Sequence, residues 1–91
     1  MLFTAMKSFK YVIQDKVGIH ARPANKLVQA LNAYKSKVTV KFGDKQANAK
    51  SIINLMALGL QHQSEVEFVV DGEDEDKVVA ELPEILKKEN I

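Results

Sequence analysis

Gly18-Ile19-His20-Ala21-Arg22-Pro23-Ala24 marks the start of a helix and fixes the reading of what surrounds it. From Ala24, the apolar residues Leu27, Val28 and Leu31 follow at i+3, i+4 and i+7, one face of a helix. Pro23 fits only the first turn, where its missing N–H has no intrahelical partner to lose. Gly18 permits a sharp entry. The spacing predicts a helix over residues 21–34, with His20 at or just before its N-terminus and Arg22 in its first turn.

Upstream, Phe9, Tyr11 and Ile13 alternate with Ser8, Lys10, Val12 and Gln14, the pattern of a half-buried strand. Downstream, Val38, Val40 and Phe42 alternate with Lys37, Thr39 and Lys41, a second strand. Gly43-Asp44 signals a tight turn. Residues 45–49 read as a short, weakly apolar third strand at an edge. Ser51 is placed to cap a short second helix reaching Leu58, with Gly59 to end it. Val66, Phe68 and Val70 mark a fourth strand. Asp71-Gly72 turns into a last helix that buries Val78, Val79, Leu82, Ile85 and Leu86. Pro83 falls inside that helix, where it removes a hydrogen bond, so a bend or restart is expected near residues 80–83. Strands with helices on one face imply a two-layer α+β domain.

The position of His20 has chemical consequences. A helix N-terminus presents unpaired N–H groups and a partial positive charge, both of which disfavour an imidazolium. A neutral imidazole is a nucleophile. Once it carries a phosphoryl group, the same N–H groups favour the new negative charge. Arg22 adds a planar fork of donors suited to phosphate oxygens. Seven residues also allow a plainer reading, in which His20 is a cap or surface residue.

Ile52, Ile53 and Met56 cannot all point inward from so short a helix if Leu55 and Leu58 do. An exposed apolar patch is expected there, and such patches mark partner sites. His62 lies in the polar loop Gln61-His62-Gln63-Ser64 and reads as solvated. No ligand spacing joins it to His20 as a metal pair, and no metal site is expected. The acidic run Glu73-Asp74-Glu75-Asp76 reads as a charged first turn that complements the helix dipole.

Ninety-one residues make one small domain. A net charge of +1 argues against a general nucleic-acid binder. The absence of cysteine excludes disulfides and thiolate metal sites. No apolar run approaches the ~20 residues that span a membrane. The opening five residues lack the basic start of a signal peptide. Met6 is a candidate start, with the residues before it foreign to the natural chain or the product of an alternative start.

The seven-residue stretch around His20 resembles the active-site signature of the HPr family, the histidine phosphocarriers of the bacterial phosphoenolpyruvate:sugar phosphotransferase system. Lys50-Ser51-Ile52-Ile53-Asn54-Leu55-Met56-Ala57-Leu58-Gly59 resembles that family's regulatory serine segment, and Asp71-Gly72-Glu73-Asp74-Glu75 its entry to the last helix. Two departures stand out: Asn25 replaces a common Ser or Thr, and Pro83 interrupts the last helix. The resemblance covers residues 7–91 as one domain and leaves residues 1–6 as an unstructured or foreign extension.

The resemblance implies an open-faced sandwich, with four antiparallel strands in the order 1-4-2-3 and three helices on one face. It implies a cytoplasmic carrier rather than an enzyme, without cofactor. His20 would be phosphorylated on Nδ1 by enzyme I and Arg22 would stabilise the phosphoryl group. The group would then pass to sugar-specific IIA domains. Ser51 would be a regulatory phosphorylation site, modified by a serine kinase/phosphorylase and read by a catabolite-control transcription factor. Ile52, Ile53, Met56, Ala21 and Gln29 would contact partners. Neither nucleic acid nor membrane insertion is implied. Two rivals remain: a nitrogen-type regulatory paralogue, and a small α+β module that binds protein or RNA. The second predicts an aromatic or basic sheet face.

Overall fold

A computed structural model describes residues 7–16 and 21–91. The elements run β1 (Lys7–Val12), α1 (Ala21–Leu31), β2 (Lys37–Phe42), β3 (Lys45–Asn48), α2 (Ile52–Ala57), β4 (Glu65–Asp71) and α3 (Glu75–Lys88). The sheet is antiparallel in the order β1-β4-β2-β3, so the expected α+β sandwich topology holds. β3 lies at an edge, as its weak apolar content predicts. The expected extension of residues 1–6 lies outside the described residues.

Alternation in the strands sets one sheet face against the helices. Val38, Val40, Val66, Phe68 and Val70 are buried there with Ala24, Leu27, Val28 and Leu31 of α1, Leu55 of α2, and Val78, Leu82 and Leu86 of α3. Phe9 stacks on Phe68 with centroids 5.3 Å apart, and Tyr11 meets the same ring edge-on at 6.4 Å. The other face is mostly polar, with Val12 and Val69 among its charged and hydroxyl side chains. Lys10, Glu67 and Lys41 lie side by side across three strands, so like charges are never direct neighbours in that row. The aromatic face that an RNA-binding sheet would show is spent on the core.

Local rules explain the turns. Gly43, at φ +63°, occupies the first position of the two-residue turn between Phe42 and Lys45, where a positive φ is needed. α1 ends at Leu31, shorter than the expected reach to residue 34. Ala33 and Tyr34 donate instead to the carbonyls of Ala30 and Leu31, tightening the chain into turns. Lys50 Nζ donates to the Tyr34 carbonyl at 2.7 Å, and the Tyr34 hydroxyl donates to Glu81. Burial, then the Glu81 carboxylate, pushes that phenol up to about 12.

α3 runs as one element through Pro83, so it does not restart there. Pro83 has no N–H to donate to the Val79 carbonyl, and the helix continues past that gap. Leu82 and Leu86 are wholly buried and Ile85 packs at the core's margin, as the periodicity predicts.

The acidic run is more than a charged first turn. Asp74 accepts hydrogen bonds from the amides of Lys35 and Ser36, both at 2.8 Å, and from the Ser36 hydroxyl. Glu75 is 4% exposed; its Oε1 accepts from the Gly72 amide at 3.0 Å, while its buried Oε2 has no hydrogen-bond partner in the protein. Only Glu73 and Asp76 behave as surface charges, paired with Lys35 at 3.2 Å and Lys7 at 2.5 Å.

Candidate functional site

The helix start predicted from Pro23 is present. Ala21 is the first residue of α1, Arg22 the second and Pro23 the third. Pro23 and Ala24 are buried while Arg22 is exposed. The helix is therefore anchored by its third and fourth residues, leaving the guanidinium of Arg22 in solvent. Its first turn carries no acidic side chain, so nothing there competes with an incoming anion for the N-terminal amides. His20, Gly18 and the side chain of Ala21 lie outside the described residues. Gln29 is exposed on the same helix, as is Asn25.

α2 packs against α1 and presents the second group of candidate residues. Ser51 caps it from an extended conformation, φ −121° and ψ 117°, and its Oγ accepts from the Asn54 amide at 3.3 Å. Asn48 turns the chain into this cap, its side chain and backbone carbonyls accepting from the amides of Lys50 and Ser51. Gly59, at φ +66°, follows the helix in the left-handed conformation expected of an ending glycine.

Leu55 and Leu58 take the inward positions, at 1% and 5% exposure. Ile53 and Met56 are therefore turned out, at 80% and 43%, with Ile52 half-buried beside them. The apolar surplus expected from the sequence is thus real. Water around an exposed isoleucine and methionine is displaced favourably by any apolar partner.

A shallow groove of about 610 Å³ between β2, β3 and α2 is open to solvent and lined by Lys37, Thr39, Lys45, Gln46 and Asn48, among others. Arg22 does not line it. His62 is exposed, in a loop whose Gln63 holds φ 71°. Among the described residues no group of three or more His, Cys, Asp or Glu side chains could hold a metal ion. Nor is any described helix long and apolar enough to cross a membrane.

The C-terminal end of α3 carries a feature that the sequence pattern did not disclose. Ile91 is wholly buried, and its carbonyl accepts from the amides of Gln14 and Asp15. Its signal was the pair Asn90-Ile91 after a basic last turn, since Asn followed by an apolar residue suits a helix C-terminus.

Comparison with known proteins gives one consistent result. The family model described as the phosphorylation site of the HPr component of the phosphotransferase system matches residues 7–88. The phosphocarrier protein HPr of Mycoplasma genitalium is 41% identical over 87 residues, covering 94% of this chain and 99% of that protein. A mycoplasma histidine-containing phosphocarrier protein superposes with a TM-score of 0.86 at 34% identity, covering 93% of this chain and 98% of that one. HPr from Thermoanaerobacter tengcongensis superposes at 0.85 with 32% identity, covering 92% and 94%.

Proposed function

The chain belongs to the HPr family, the phosphocarriers of the phosphotransferase system, and on that premise we propose that His20 receives a phosphoryl group from enzyme I and hands it to sugar-specific IIA domains. The imidazole Nδ1 supplies the lone pair that forms the new P–N bond. The bond from phosphorus to enzyme I breaks in the same transfer, and the reverse exchange delivers the group to a IIA domain. The protein is consumed and regenerated as a carrier, so it needs a docking surface rather than an enclosed substrate pocket. Residues 7–91 act as the phosphocarrier domain, with residues 1–6 as an extension to it, and the setting is the cytoplasm.

The observation that carries this reading is the exposed Arg22 in an acid-free first turn of α1, two residues after His20. A guanidinium there can pair with two phosphoryl oxygens while the helix amides face the same charge. Ile52, Ile53, Met56, Ala21 and Gln29 form the docking surface. Met56 suits a surface that must accept several partners. Ser51 adds a regulatory phosphorylation site, served by a serine kinase/phosphorylase and read by a catabolite-control transcription factor. Retention of Ser51 at the head of that patch favours the sugar-uptake carrier over a nitrogen-type paralogue.

Incubation with phosphoenolpyruvate and enzyme I, followed by mass measurement, tests the proposal. One acid-labile phosphoryl group is expected, and none in His20→Ala. Arg22→Lys keeps the charge but loses the fork, and should transfer more slowly without loss of fold. Normal acceptance by His20→Ala would overturn the assignment.

A further inference from the structure

Three consecutive amides after β1 are held by residues distant in the chain. Ile13 N–H donates to the Ser64 carbonyl at 2.9 Å, and the N–H groups of Gln14 and Asp15 both donate to the Ile91 carbonyl, at 2.5 and 3.0 Å. The Ile13 carbonyl in turn accepts from Gln63 N–H at 2.8 Å. The chain is therefore tied down residue by residue as far as Asp15, at the root of the stretch that leads to His20.

Ile91 reaches this place because α3 ends in a specific way. Glu89 caps the helix and Asn90 takes φ 58°, turning the chain back on itself. Asn90 N–H donates to the Lys87 carbonyl at 3.1 Å and Ile91 N–H to the Leu86 carbonyl at 2.9 Å. These are the paired bonds of a Schellman motif, which brings the apolar residue after it against the helix. The Ile91 side chain then enters the same core as Ile13. Its carbonyl is left facing the Gln14 and Asp15 amides. Burial of the side chain alone would stabilise the fold. The double acceptance adds something different, a fixed origin for the segment beyond Asp15.

We infer that Ile91 is a positioning residue for phosphoryl acceptance: anchored in the core, its carbonyl grips Gln14 and Asp15 and so sets where the His20 segment begins. This rests on His20 being the acceptor. Ile91 touches neither the phosphoryl group nor a partner; it acts through the backbone of residues 14 and 15. Group transfer is sensitive to such placement, since a shift of about 1 Å can cost roughly 100-fold in rate.

The test uses the full chain as the acceptor in the enzyme I reaction, well below its melting temperature, with Val79→Ala, inside α3, as a comparator destabilised at another place. Ile91→Gly should lower kcat about tenfold with KM held within about twofold, and Ile91→Val should restore most of it. A kcat for Ile91→Gly matching that of Val79→Ala, or a loss in KM alone, overturns the positioning role. Amide hydrogen exchange supplies a second reading. Gln14 and Asp15 should exchange about tenfold faster in Ile91→Gly, while Val66 and Val70 in the central strand keep their protection. Unchanged exchange at Gln14 and Asp15 overturns the grip itself. Ile91→Ala replaces the glycine variant if that one does not fold. Acceptance by His20→Ala would remove the acceptor reading, and the exchange result would still decide whether Ile91 holds residues 14 and 15.

Discussion

The Asp74 carboxylate bonds both the amide and the hydroxyl of Ser36, which ties the connection after α1 to the entry of α3 across 38 residues of sequence. Ser36 is wholly buried, and Gly72 approaches it so closely that a Cβ on residue 72 would lie 2.5 Å from the Ser36 Cα. The two loops are thus packed backbone to backbone, with the carboxylate as the clasp.

The clasp should make stability depend on acid. Hydrogen bonds from the Ser36 hydroxyl, then from the Lys35 amide, lower the Asp74 carboxyl from 3.8 to about 2. A carboxyl depressed by folding contributes stability that is present above its unfolded value and lost as pH falls through its folded one. Asp74→Asn should melt lower than the parent at pH 7, and the gap should close between about pH 4 and pH 2. Thermal melts across that range check it, and parallel curves for the two proteins would refute it.

Pro83 predicts a gain. Alanine there would restore a donor to the Val79 carbonyl in a helix that already runs through the position. Pro83→Ala should stabilise by about 1–3 kcal/mol, read from urea unfolding. A loss of stability would mean that the half-buried proline ring contributes more through packing than it costs in the helix.

Ile53, at 80% exposure, should matter to docking and not to folding. Ile53→Glu should leave stability within about 0.5 kcal/mol. Its KM as a substrate of enzyme I should rise about tenfold, as for a hot spot worth roughly 1.4 kcal/mol. An unchanged KM would place the interface elsewhere.

Ser51 separates two roles by substitution. Ser51→Ala removes the acceptor for the Asn54 amide and should cost about 1 kcal/mol. Ser51→Asp keeps a capping oxygen and adds a negative charge that favours the helix start, so its melting temperature should hold or rise. That charge stands beside the apolar patch, so phosphoryl uptake at His20 should slow. Equal uptake by Ser51→Asp and the parent would leave Ser51 as a cap alone.

These cases show what a sequence discloses and what it withholds. Pro23, the Ser51 cap, Gly43 and the alternating valines are local rules with local outcomes, and each was legible. The outward turn of Ile53 and Met56 followed from counting too many apolar residues for one short helix. The acidic run was legible as a charged helix start, but the bond from Ser36 to Asp74 was not, because no periodicity links residues so far apart. The burial of Glu75 was equally hidden, since nothing in a run of acids marks which one folds back onto Gly72. Ile91 carried a capping signal, but its bonds to Gln14 and Asp15 depend on how α3 crosses the sheet. Residues chosen by their neighbours in sequence were readable; residues chosen by their neighbours in space were not.

The sheet order sets the timetable of folding. β1 is made first, yet its one sheet partner among the described residues is β4, which begins at Glu65. β2 and β3 can close as a hairpin as soon as they leave the ribosome. Phe9 and Tyr11 have to wait for Phe68, and β2 waits for the same strand on its other side. With pairing so non-local, the sheet cannot be completed during synthesis of the first two-thirds of the chain. A nascent chain released before β4 therefore has an unpaired first strand and at most a marginal β2–β3 hairpin, a state open to proteolysis.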